Sequence, residues 1–166
     1  MNTYELTFKD AQKISQIYGV FLQQQQALPH TSKLEAATEA MLYASACSLM
    51  QAGHFEKAAK YFQFLLFYVP NQVDYLQGLA TCSRSLGDWS TTAQALGTAL
   101  YLEPESSTIA LNWAEALIHI GMPLIAKEIL KAVVQWTDSP EDKVTQQRAQ
   151  LLLQTIPEHA VQDVSA

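Results

Sequence analysis

Apolar side chains recur along this chain at the three- and four-residue intervals of one helical face. Ile14, Ile17, Tyr18, Phe21 and Leu22 keep that spacing and predict an amphipathic helix over residues 8–28. Leu28-Pro29-His30-Thr31 then breaks the chain. Ser32, with Glu35 three residues on, reads as a capping box, so the next helix is expected to begin near Lys33. Three further sets of apolar and small residues share one layout: Leu42, Ala46 and Leu49; Leu76, Leu79 and Ala80; Ala110, Trp113, Ala114 and Leu117. Each is followed by a second set: Ala58, Phe62 and Leu65; Leu96 and Ala99; Ala126, Leu130 and Val133. A last pattern, Val144, Leu151, Leu152 and Ile156, predicts a closing helix over 141–156 with those residues as its apolar side. Ser139-Pro140-Glu141-Asp142 supplies a helix start, with proline where its missing N–H is no loss and acids near the positive dipole end.

The punctuation of these sets is regular. Gly53, Gly87 and Gly121 stand 34 residues apart, and Pro70 and Pro104 repeat the interval. That is the period of the tetratricopeptide (TPR) helix–turn–helix unit. Glycine ends each first helix in a conformation that a Cβ would penalise, and proline cannot continue the second. Ala46, Ala80 and Ala114, at the eighth position of each unit, let the two helices of a hairpin approach closely. The third unit departs from the pattern, with Pro123 after its glycine and Asp138 where proline is expected. The predicted fold is all-α: one domain over 1–166, with TPR units at 33–72, 73–106 and 107–140 in a right-handed solenoid. The extra N-terminal helix and the C-terminal capping helix are expected to cover the ends of the stack, and the tail 157–166 to fray.

Composition narrows the partners. Half the residues are apolar (49%), and charged residues are only 16% against the usual quarter. A surface poor in charge and rich in apolar groups suits a covering protein partner. The net charge is −6, with no run of lysine or arginine, which argues against nucleic acid and anionic membrane. No apolar stretch is long enough to span a bilayer, and the start, Met1-Asn2-Thr3-Tyr4-Glu5, lacks the pattern of a secretory signal. Cys47 and Cys82 fall inside predicted helices and read as thiols in a reducing compartment. A cytoplasmic protein with no stable membrane association is expected.

The residues offer little for catalysis. There is no phosphate-cradling glycine loop and no dinucleotide fingerprint. His30, His54, His119 and His159 lie far apart, and none has a histidine or cysteine three or four residues away, so no metal or cofactor is expected. Glu115 and Asp74 read as solvated or capping side chains, and the chain is expected not to be an enzyme. What remains is a surface. In a TPR stack the first helix of each hairpin lines the concave face, mainly at positions 2, 5, 9, 12 and 13. Those positions hold Ala40, Tyr43, Cys47, Met50 and Gln51; Asp74, Gln77, Thr81, Arg84 and Ser85; and Thr108, Leu111, Glu115, Ile118 and His119. With Arg84 as its lone base, this face suits an extended, largely apolar peptide better than a carboxylate terminus.

Leu42-Tyr43-Ala44, Gln51-Ala52-Gly53-His54-Phe55, Ala58, Phe62-Gln63 and Asp74 to Cys82 together resemble the class II chaperones of bacterial type III secretion. Ala114 to Leu117, Gly121, Ala126-Lys127 and Gln147-Arg148-Ala149 continue the resemblance, which spans 8–156. It implies a chaperone that holds a secreted translocator or effector soluble and export-competent, gripping an extended segment of the type Pro-x-Leu-x-x-Pro. Tyr43, Cys47, Met50, Gln77, Thr81 and Arg84 would face that cargo, and the N-terminal helix would mediate a homodimer. Pro123 resembles the branch that serves effectors, which leaves the cargo class open. The alternative is a TPR scaffold or regulatory adaptor joining folded partners.

Overall fold

The structure is a computed structural model and describes residues 34–135 and 142–156. The expected helix over 8–28, the segment 136–141 with the expected helix start at Ser139 to Glu141, and the tail after 156 lie outside the described residues. Among these residues the chain is all helical: α1 Ala36–Gln51, α2 Phe55–Tyr68, α3 Val73–Ser85, α4 Trp89–Leu102, α5 Ser107–His119, α6 Pro123–Gln135 and α7 Asp142–Thr155.

The three glycines make the hairpins. Gly53, Gly87 and Gly121 have φ of 77°, 78° and 80°, the left-handed region that favours glycine. Around each, the same two hydrogen bonds close the preceding helix. Gly53 N–H donates to Met50 O and His54 N–H to Leu49 O, and Gly87 and Asp88 donate likewise to Arg84 and Ser83. Gly121 and Met122 repeat the motif on Ile118 and Leu117. The second helices α2 and α4 stop two residues short of Pro70 and Pro104.

Each helix packs against the next in sequence, from α1 on α2 through to α6 on α7. First helices of neighbouring hairpins also meet: α1 touches α3, and α5 touches α7. The core is one continuous cluster from Ala46 to Ile156, with Phe62, Leu65, Ile109, Ile129, Leu130 and Val133 among its largest fully buried side chains. The fold is the expected helical-repeat stack, with α7 in the place a fourth first helix would take.

Two local expectations are corrected. Glu35 is in extended backbone (φ −65°, ψ 135°) and is itself the cap residue of α1, so the helix starts at Ala36. A residue with those angles cannot be the third helical residue of a capping box; the first helical bond runs from Glu39 N–H to Glu35 O. In α7 the expected apolar side is rotated. Val144 and Leu151 are 73% and 63% exposed, whereas Ala149 is 0% and Ile156 6% exposed, with Leu152 and Leu153 packed against the core. The small Ala149 faces inward because α7 must lie close against both α5 and α6.

Candidate functional site

Of the six residues expected to face a cargo, three converge. Gln77, Thr81 and Arg84 stand one turn apart on α3 and line a cavity of about 40 Å³. Ala80 of α3, Thr92 and Leu96 of α4, and Asn112 of α5 complete its walls. Its floor is set by Thr92, fully buried, whose hydroxyl donates to Asp88 O at 2.7 Å. Thr81 Oγ1 donates to Gln77 O at 2.8 Å, leaving its oxygen to accept. Asn112 is a functional candidate that sequence reasoning missed. The corresponding sixth positions of the other units hold Ala44 and Gly78, so an amide among the buried Leu111, Trp113 and Ala114 was the signal available.

Arg84 belongs to a charged ladder across three successive first-row helices. Its Nη1 lies 3.5 Å from Glu115 Oε2 on α5, and Arg148 Nη2 of α7 donates to that same oxygen at 2.8 Å. Glu115, read from sequence as a solvated or capping acid, is thus the link that ties α7 to α5. This packing also removes Leu111 from the expected lining: it is 2% exposed, while the residues 34 and 68 positions earlier, Gln77 and Tyr43, remain half-buried.

The other three candidates lie on α1 and belong to a different environment. Tyr43 packs edge-on to Phe62 with ring centroids 6.3 Å apart and tilted against Tyr75 at 5.2 Å. Burial first, then its contact with Cys47, pushes the Tyr43 hydroxyl above the ordinary tyrosine range. Tyr75, itself buried, donates its hydroxyl to Glu39 Oε1 at 2.5 Å, which pins α1 to α3. Burial, and then that bond, raises the Tyr75 pKa as well. Cys47 and Met50 are half-buried against the core, one and two turns along from Tyr43. Cys82 is fully buried, and burial pushes its thiol up, which keeps it protonated and inert. The face therefore has an aromatic, apolar half on α1 and a hydrogen-bonding half on α3 and α5.

Among the described residues no group of three or more His, Cys, Asp or Glu side chains is placed to hold a metal ion. No described helix is long and apolar enough to cross a membrane.

This architecture defines a TPR-like, all-helical repeat protein, and solved structures share it. No protein-family model matches the chain. PcrH from Pseudomonas aeruginosa superposes with a TM-score of 0.66 at 23% identity, over 78% of this chain and 98% of that one. The type III secretion chaperone SycD from Yersinia enterocolitica, in complex with a peptide of the translocator YopD, gives 0.68 at 22% identity, over 75% and 96%. A type III secretion complex from Aeromonas hydrophila gives 0.67 at 20%, over 85% and 95%. At these identities the likeness establishes the fold that the chains have in common.

Proposed function

We propose that this protein is a cytoplasmic type III secretion chaperone that grips an extended segment of a secreted translocator along its row of first helices. The carrying observation is a face with two halves, aromatic at Tyr43 and hydrogen-bonding at Gln77, Thr81 and Arg84, on a fold shared with SycD and PcrH. PcrH is known in complex with the chaperone-binding regions of PopB and PopD, and SycD with a YopD peptide; these favour a translocator over an effector as cargo. The action is binding without turnover: apolar contacts on Tyr43, Cys47 and Met50 mask the segment, and the Gln77 amide and Thr81 hydroxyl of α3 bond its backbone. An extended peptide suits such a site because its side chains alternate while its backbone groups stay available.

A homodimer through residues 8–28 belongs to the same reading. The apolar stripe Ile14, Ile17, Tyr18 and Phe21 motivates it, and SycD itself is known in an alternative dimer.

Co-expression with a type III secretion translocator from the same organism tests the reading. The translocator should be soluble and co-purify with the wild-type protein, and precipitate or be degraded without it. Tyr43→Ala and Met50→Ala should each weaken binding by about 1–3 kcal/mol, as truncated anchors do. A translocator equally soluble and stable in the absence of this protein would leave the scaffold reading in its place.

A further inference from the structure

The cavity between α3 and α5 gathers polar groups on a face expected to hold a largely apolar peptide, and its chemistry specifies what enters it. Gln77 and Asn112 line it with side-chain amides that make no hydrogen bond among the described residues. Arg84, with a side chain 37% exposed, projects at its edge. The one acid within ion-pair distance of Arg84 among the described residues is already engaged. Glu115 receives its short bond, 2.8 Å, from Arg148, and stands 3.5 Å from Arg84, beyond good hydrogen-bond length. Arg84 therefore keeps donor capacity. Two guanidinium groups around one carboxylate also leave this ladder with a net positive charge. Asp74, the other acid on this side of α3, is ten residues away, about 15 Å along the helix axis. That is farther than the Debye length of about 8 Å at physiological salt.

We infer that this notch takes the carboxylate of a single acidic side chain of the bound segment, selected by Arg84 and seated by Gln77 and Asn112. The inference rests on the chaperone reading and adds a polar specificity to it. The net positive charge disfavours a lysine and favours a carboxylate over a neutral amide, and the amide N–H groups and guanidinium supply the donors a carboxylate needs. The size agrees. A cavity needs roughly 10–15 Å³ on this measure to admit one water, so about 40 Å³ admits three heavy atoms, a carboxylate, and not an aromatic ring. Arg148 acts through Glu115 as a positioning residue: by holding the acid it leaves Arg84 unneutralised.

Fluorescence anisotropy with a labelled host peptide, Pro-Ala-Leu-Ala-Ala-Pro, and a set replacing each alanine by Glu, Gln or Lys reads this directly. At one position Glu should bind about tenfold tighter than Gln, the size of one charge-assisted bond, and Lys weaker than either. The advantage should shrink with added salt while host binding does not. Arg84→Gln should abolish the advantage, read as the ratio of Glu to Gln peptide affinities within the variant, so that any change in host binding cancels. Glu115→Gln should enlarge it by removing the competing acid. Arg148→Ala should reduce it by releasing Glu115 toward Arg84, an opposite pair of shifts that general loosening of the fold would not produce. Host binding with no Glu preference at any position, or a preference that survives Arg84→Gln, overturns the inference and leaves the chaperone reading standing. No binding of the host or of any substituted peptide overturns both.

Discussion

The first and third hairpins carry the same pattern and bury it very differently. In α1 only Ala46 is fully enclosed, whereas α5 encloses Ile109, Ala110, Leu111, Trp113, Ala114, Ala116 and Leu117. Position by position the contrast is sharper. Met41, Tyr75 and Ile109 occupy the third position of their units, yet Met41 is open to solvent while Tyr75 and Ile109 are buried. The difference lies in neighbours. α5 is held by α4, α6 and α7, while α1 packs on α2 and α3 alone among the described helices. In a stack, place in the row sets how much of one repeat's apolar pattern contributes to stability. The loosely enclosed end is the half of the face where aromatic groups stay accessible, and the tightly enclosed end holds the polar ladder.

Removing α7, by ending the chain at Gln135, would strip α5 of one of the three helices that hold it. Ile156 and Ala149 leave the core, Leu152 and Leu153 lose their contacts, and Glu115 loses Arg148. Each large side chain lost from full burial costs roughly 1.5–3 kcal/mol, a large share of a domain's stability. A steep fall in Tm or insoluble protein is expected; unchanged melting would make α7 an appendage and end the comparison.

The matched pair Ile109→Ala and Met41→Ala isolates the effect of position. Urea unfolding should show a loss of about 2–5 kcal/mol for the first and within about 0.5 kcal/mol for the second. Equal losses would mean that α1 is covered as fully as α5.

Gly78→Ala probes the close approach of α3 to α2. A Cβ there would overlap the ring of Phe62, which is fully buried and cannot yield. Overpacking of this kind costs about 1–3 kcal/mol, so thermal unfolding should move down despite alanine's better helix propensity. The same substitution at Gly97 meets the edge of Trp113 at 3.2 Å and should be milder.

The smallest effect is a cap. Asp88 accepts from Thr91 N–H at 3.0 Å at the start of α4, and Ser106 caps α5, while α1, α2 and α3 lack side-chain caps. Hydrogen bonds from Thr91, side chain first, hold the Asp88 carboxyl below its ordinary range. A lowered folded pKa contributes stability above the unfolded value of about 4 and loses it as pH falls through the folded value. Asp88→Ala should cost about 1 kcal/mol at pH 7, and the gap to wild type should close in acid titrations.

The hairpins were legible because their signal is local. A left-handed residue after each first helix requires glycine, and glycine recurs at one interval, so the turns could be placed to the residue. The positions proposed to face the cargo were half legible as a cluster. Gln77, Thr81 and Arg84 share one face of α3 by helical spacing alone. Asn112 and Arg148 were missed, since the partners that give them meaning come from other helices. The capping box at Ser32 and Glu35 shows the converse error, a local motif whose residues are present while Glu35 is extended.

By itself, then, the sequence determined the all-helical repeat, its period and the small residues at which helices approach, because these follow from backbone φ and side-chain volume within a few residues. The tertiary structure alone decided which apolar face of α7 turns inward, that Leu111 is covered while Gln77 and Tyr43 are not, and that Glu115 joins Arg84 to Arg148. A 3.6-residue period defines the stripes a helix can offer, and only the neighbouring helices choose the stripe that is buried and the charges that meet.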